Sequence, residues 1–275
     1  MRVALSVRRV FEDAGRNLES LLSAIHSAAE QRADLVVSCE ASLTGLINDG
    51  DPSHDLPLAV RIPGKETSRI SDAAKEDGLF VALGLFEREG DSMFDSAILI
   101  DPAGCLSLKY RRISQGWRDR NWDPSIFREG DSIPVSSTPF GSMAFLICGD
   151  LFDDDLCARV RAMQVDYVLC PVARNFDDDS YDQERWDKEE RAVYARRAAM
   201  TGATVLMVNQ LGGDHESGDS FGGAWVVSRE GAILAELPLG KEGILVVDLQ
   251  EHGSASPASP LRLAPSSRHS CEGEG

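Results

Sequence analysis

Apolar and polar positions along this 275-residue chain follow two alternating patterns. Short, largely apolar runs recur at residues 3–7, 35–39, 80–86, 96–100, 106–110, 143–148, 167–170, 204–209, 221–228, 233–237 and 244–249. Most are continuous enough to read as strands covered on both faces. Between them lie amphipathic stretches. Leu18, Leu21, Leu22, Ile25 and Ala29 recur at helical spacing behind Asn17, a residue suited to cap a helix. Residues 66–75 predict a second helix, stopped by Gly78, and residues 156–163 and 184–200 predict two more. Asp101-Pro102-Ala103-Gly104 has the composition of a hairpin turn between two strands. The acidic run Asp153-Asp154-Asp155 falls where the macrodipole of the next helix favours negative charge.

The remaining segments are loops. Residues 41–63 are rich in Gly, Asn, Asp and Pro, and residues 175–183 are acidic. Residues 111–131 form a long polar loop carrying Trp117, Trp122 and Phe127, and a loop of that length inside a domain is usually functional. From residue 251 onward Ser, Pro and Gly dominate, which predicts a flexible tail of residues 251–275 behind one domain of residues 1–250. The two halves echo each other. Each places a helix before Asp34-Leu35-Val36-Val37 or Asp166-Tyr167-Val168-Leu169. The pattern predicts an α/β fold with two similar sheets, each faced by helices, in a four-layer sandwich.

Composition narrows the function. A net charge of -17 argues against nucleic acid and anionic membranes as partners. No run approaches the roughly 20 apolar residues of a membrane span, and the first residues read as a strand rather than a signal peptide. A cytoplasmic protein with a small-molecule substrate is expected. The six cysteines form no C-x-x-C pair, so free thiols are expected. The five histidines are scattered, without metal-ligand spacing, so neither a metal nor a cofactor is expected.

The candidate chemistry lies at strand ends. Cys148 closes the run Ala144-Phe145-Leu146-Ile147-Cys148 before Gly149-Asp150, at the sheet edge where α/β proteins place their sites. Glu40 follows the matching strand Leu35-Val36-Val37-Ser38-Cys39. One nucleophile and one base thus occupy equivalent places.

These residues carry a resemblance. Ala33-Asp34-Leu35-Val36-Val37-Ser38-Cys39-Glu40 with Leu43-Thr44-Gly45, and Leu99-Ile100-Asp101-Pro102-Ala103-Gly104 with Lys109-Tyr110-Arg111-Arg112-Ile113, are two of its blocks. Leu146-Ile147-Cys148-Gly149-Asp150, Tyr194-Ala195-Arg196-Arg197-Ala198 and Val208-Asn209-Gln210-Leu211-Gly212 complete the set. In this order they resemble the nitrilase, or carbon–nitrogen hydrolase, superfamily over about residues 1–250. The resemblance implies an αββα sandwich that assembles as a homodimer or larger homo-oligomer. It also implies a Glu-Lys-Cys triad that hydrolyses a C–N bond in a small amide or N-carbamoyl compound through a thioester. The position of the family lysine holds Arg112. The family's supporting glutamate maps onto Asp123, four residues before Phe127 and seven before Gly130. Cys39 replaces a proline, and Phe152 replaces an arginine four positions after the cysteine.

Physical chemistry assigns the roles. Given the resemblance, Glu40 is expected to serve as general base, and the Gly149 N–H with the Arg112 cation to stabilise the oxyanion. Arg112 keeps its charge permanently, so a longer cation is expected to pair with the shorter acid Asp123. Lys109 lies three residues earlier, and an odd offset on a strand turns it to the other face. Arg174 and Asn175 end a strand near the site, where Arg174 can grip a substrate carboxylate or pair with Asp177-Asp178-Asp179. Trp117, Trp122 and Trp186 line the pocket or pack in the core. Two other readings stay open: a catalytically silent member that binds a small ligand or protein partner, and a Cys-His hydrolase using His215.

Overall fold

In the computed structural model, which describes residues 1–178, 180–212 and 220–250, the apolar runs form two six-stranded sheets. The first sheet contains β1 (Arg2–Val7), β3 (Leu35–Val37), β4 (Phe80–Glu89), β5 (Ser92–Ile100), β6 (Leu106–Arg111) and β14 (Gly243–Asp248). Its order is β14-β1-β3-β4-β5-β6. The second contains β7 (Ser136–Thr138), β8 (Gly141–Phe145), β9 (Tyr167–Val172), β10 (Thr204–Asn209), β12 (Ala224–Val227) and β13 (Ile233–Leu237). Its order is β13-β12-β10-β9-β8-β7. The short strands β2 (Arg9–Val10) and β11 (Leu211–Gly212) pair in parallel and tie one sheet to the other.

Alternation explains why the strands are apolar throughout. Val3, Leu5, Val7, Leu35 and Val37 face the second sheet and pack with Phe145, Leu169 and Met207. Ala4, Val36, Val81, Leu83 and Ile98 face outward and meet Leu21, Ile25, Ile70 and Ala74 of α1 (Ala14–Glu30) and α3 (Lys65–Asp77). Each Val or Leu so enclosed contributes about 1.5–3 kcal/mol of burial free energy. The outer face of the second sheet is covered by α6 (Arg191–Met200), with α4 (Asp154–Met163) packed beside it. The result is the expected four-layer αββα sandwich.

Local predictions fare unevenly. Gly78 ends α3 in the left-handed conformation at φ 70°, and Asp153 caps α4 by accepting from Leu156 N. Asn17 is not a cap. Asp13 takes that place, accepting from the Gly15 and Arg16 amides, and Asn17 is buried with its amide donating to Phe11 O and Leu43 O. The loop at 41–63 contains a helix, α2 (Pro52–Leu58), whose shortness and internal proline hide it from pattern reading. The predicted helix 184–200 is realised as α5 (Gln183–Arg185), a π-helical turn at Trp186–Glu190, and α6. Five cysteines, Cys39, Cys105, Cys148, Cys157 and Cys170, are free thiols. Cys271, His215 and the tail predicted at 251–275 lie outside the described residues. Among those described, no helix is long and apolar enough to cross a membrane.

Candidate active site

Glu40 is placed by backbone pairing that continues past β3. Ser38 N donates to Ala82 O at 2.8 Å, and Gly84 N to Cys39 O at 3.0 Å. A Cβ on Gly84 would lie 2.7 Å from the Glu40 Cα, so only glycine allows this approach. Buried Arg8 secures the following turn through the Ser42 hydroxyl, 2.6 Å away, and the Ser42 carbonyl.

Strand alternation then selects the cation. Lys109 and Arg111 point to one side of β6, where both pair with Glu87 at 2.7 Å. Tyr110 and Arg112 point to the other side, so the odd-offset argument holds for Lys109. Arg112 N donates to Asp95 O at 2.8 Å, extending by one residue the register that pairs Ser96 with Arg111. The Arg112 side chain is only 4% exposed. Its Nη1 donates to Glu40 Oε1 at 2.8 Å and to Asp95 Oδ2 at 3.3 Å, and its Nε to Ser114 Oγ at 2.9 Å.

Cys148 begins a 3₁₀ turn, Cys148–Phe152, after Leu146 and Ile147 extend the chain beyond β8. Its φ of 44° lies in the left-handed region, a strained place for a residue with a side chain. The buried Asp150 carboxylate holds the turn in place. It accepts from Tyr110 OH at 2.7 Å, Ile147 N at 3.0 Å, Ile113 N at 3.2 Å and Ser114 N at 2.8 Å. The thiol-bearing turn is thereby stitched to the segment that carries Arg112. A Cβ on Gly149 would sit 2.3 Å from Arg112 Nη2, so glycine is what lets the guanidinium lie against the turn.

The electrostatics are those of a crowded acidic site. Burial and the Glu40 charge push the Cys148 thiol up to about 12, opposed by Arg112 and by the Ala173 N–H donated to the sulfur. Burial and Glu40 also push the Asp95 carboxyl well above the usual carboxylate range. For Arg112, burial favours the neutral form, but Glu40, Cys148, Asp95 and Asp150 together outweigh it and hold the guanidinium charged.

Glu40, Arg112, Cys148 and Gly149 therefore converge. Asp123 does not join them. It is exposed, and its Oδ1 accepts from the Ser125 amide and hydroxyl, so the expected Asp123–Arg112 pair is replaced by Asp95–Arg112. Pattern reading passed over Asp95, although counting back through the β5–β6 hairpin would have placed it opposite Arg112. Trp117 is buried against Phe86 and Phe127 at 5.8 and 6.4 Å, and Trp122 lies 5.0 Å from Phe127, so both stabilise the long loop rather than line a pocket. Trp186 is fully buried, stacked on Trp225 at 4.4 Å and 5.1 Å from Tyr194, whose hydroxyl is pushed up by burial and by its nearness to Cys148. Arg174 donates to Asn175 O at 2.8 Å and pairs with Glu190 at 3.3 Å, rather than with the acidic loop. Asn209 fixes this corner, accepting from Arg174 N at 2.7 Å and donating to Arg174 O at 3.0 Å. Phe152 is exposed and edge-on to Tyr194 at 5.0 Å. Away from the site, Asp49, His54 and Asp55 bring three ligand atoms within 4.8 Å of one another, but Asp55 already accepts from the Asp49 and Gly50 amides.

Residues 2–256 match the carbon-nitrogen hydrolase family profile. The chain belongs to that family. The chain is 24% identical over 263 residues to the aliphatic nitrilase of Sinorhizobium fredii, covering 86% of the chain and 82% of the relative. It is 23% identical to the deaminated glutathione amidase of Dictyostelium discoideum, covering 85% and 82%. Among solved structures it superposes on the amidase of Nesterenkonia sp. AN1 with a TM-score of 0.73, 24% identity and 91% coverage of each chain. In that structure the acetamide moiety of fluoroacetamide is added covalently to the active-site cysteine of a variant. The carbon-nitrogen hydrolase of Helicobacter pylori G27 superposes with a TM-score of 0.76 at 19% identity, covering 90% of this chain and 88% of the other. Membership of the nitrilase superfamily and the αββα architecture agree with the sequence reading.

Proposed function

We propose that this hydrolase cleaves the C–N bond of a small amide or N-carbamoyl compound through a thioester on Cys148. The observation that carries the reading is the convergence of half-buried Cys148 with buried Glu40 and Arg112, from three distant segments, into one cluster. Glu40 accepts the thiol proton as sulfur attacks the carbonyl carbon. The raised thiol means that this transfer accompanies attack, because little free thiolate is present beforehand. The tetrahedral oxyanion is met by the Gly149 N–H and the Arg112 guanidinium. Glu40 returns its proton to the departing amine, and the C–N bond breaks. Glu40 then deprotonates water, which attacks the thioester, and sulfur leaves as the thiol with the acid as product.

Arg174 is half-committed to Glu190, so the pair presents a near-neutral polar edge, which favours an uncharged substrate amide over a carboxylate-bearing one. Tyr194 supplies the aromatic side, with Trp186 packed behind it. A single catalytic domain over residues 1–250, a homodimer and a cytoplasmic setting belong to the same reading. They are supported by the family resemblance and by the free cysteines.

One observation favours the silent alternative: a guanidinium cannot release a proton at ordinary pH. Intact-mass spectrometry of the wild type and Glu40→Gln, exposed to a panel of amides, ureides and nitriles, separates the two. Acylation of Cys148 trapped in Glu40→Gln, with turnover by the wild type, is the expected result. No adduct in either protein and no turnover would favour the silent ligand binder.

A further inference from the structure

We propose that Asp95 is the proton-holding partner of the Glu40–Arg112 pair, a neutral carboxylic acid that keeps Glu40 anionic beside Cys148. The assignment deepens the proposed function and rests on Glu40 being its base.

The geometry carries it. Asp95 is fully buried and is the cross-strand neighbour of Arg112. One guanidinium nitrogen, Nη1, serves both carboxyls, closer to Glu40 at 2.8 Å than to Asp95 at 3.3 Å. Asp95 Oδ1 and Glu40 Oε2 are both buried without an N–H or O–H donor. Two carboxylates that share one donor in a dry site do not both ionise. Asp150 shows the contrast. At the same depth its two oxygens collect four donors, where Asp95 and Glu40 share one. The longer contact to the cation makes Asp95 the member that keeps the proton, and its hydroxyl can donate to Glu40 Oε2. Burial and the neighbouring Glu40 charge act in the same direction. The charged and titratable groups facing it are Glu40 from the turn after β3, Arg112 after β6 and Asp150 from the turn after β8, with Tyr110 behind Asp150 and Cys148 across Arg112.

The charge tally explains the benefit. With Asp95 neutral, Glu40 and Arg112 cancel before reaction. Once Glu40 takes the thiol proton, the two carboxyls hold two protons and Arg112 faces the sulfur with its charge unopposed. With Asp95 ionised, an anion would remain on Arg112 and offset the charge that steadies the sulfur and the oxyanion. Asp95 thus provides the titratable group that Arg112 cannot be.

The test uses wild type, Asp95→Asn and Asp95→Ala. An infrared difference spectrum between wild type and Asp95→Asn at neutral pH is expected to show a protonated-carboxyl stretch in the wild type alone. Its absence overturns the proposal, whether or not any amide is turned over. If that band is present and no amide is turned over, the proposed function fails and the assignment of the proton stands. In kcat/KM, Asp95→Asn, which keeps a neutral donor, is expected to stay within about tenfold of wild type and to lose the alkaline limb due to Asp95. Asp95→Ala is expected to fall by about 10². Equal losses in the two variants would mean that the negative charge is what matters, and would overturn it.

Discussion

Arg111 and Arg112 are neighbours in sequence and opposites in setting. Arg111 joins Lys109 against Glu87 and Glu89, two cations on two acids, and the Glu87 carboxylate accepts from Ser96, Lys109 and Arg111. Its guanidinium also lies over the Phe94 ring at 3.7 Å. Arg112 faces two carboxyls alone, and two oxygens there have no donor. The first cluster is balanced and saturated, which is what structure requires. The second has surplus acid and unused acceptors, which leaves capacity for a proton and a substrate. Unpaired capacity, rather than charge as such, distinguishes the two sides of β6.

Substitutions can break that contrast. Cys148→Ala should abolish turnover while leaving the fold intact, as read by amide hydrolysis and circular dichroism. Glu40→Gln should lower kcat by about 10²–10⁴, the usual worth of a positioned general base, in a steady-state assay. Arg112→Ala removes the only cation paired with Glu40 and Asp95 among the described residues. It should lower kcat by about 10²–10³ and destabilise by about 3–5 kcal/mol in urea unfolding. Glu87→Gln, on the saturated side, should cost about 1–3 kcal/mol and leave kcat as it was. A large activity loss in Glu87→Gln would show that the two clusters are coupled through the strand.

The smallest effect sharpens the comparison through pH. Asp95 has a raised folded-state pKa, so the native state binds more protons than the unfolded chain, where a carboxyl titrates near 3.9. Its contribution is complete below that value and is lost as pH rises toward the folded-state pKa. Asp95→Asn should therefore gain stability relative to wild type as the pH increases from about 4 to 8, measured by thermal melts. Glu87 behaves oppositely. Burial raises it, but Arg111, Lys109 and Ser96 lower it more, and its net shift is downward. Its contribution is present above the ordinary carboxylate range and fades as pH falls through the lowered value.

The strands and the αββα layering were legible because apolar runs alternate between two buried faces, and this leaves a signal in every strand. Glu40, Cys148 and the outward turn of Lys109 were legible for a related reason, since each sits at a fixed offset on or just beyond a strand. Asp123 was misassigned because a motif spacing says where a residue lies along the chain and nothing about which way a loop turns it. Asp95 went unnoticed because an acid inside an apolar strand draws attention only when its cross-strand partner is known. The helix cap was misplaced by four residues because Asp13 and Asn17 are both good caps, and tertiary contacts to Phe11 and Leu43 claimed Asn17.

The β5–β6 hairpin connects residue 95 to residue 112 through a fixed count of positions around its turn. One residue inserted into that ribbon would rotate the following side chains by half a turn and present Arg111 to Cys148 instead. Surface loops elsewhere can lengthen during divergence at small cost. This segment can vary in letters but not in number, so relatives that keep the chemistry should differ here by substitution and not by gaps.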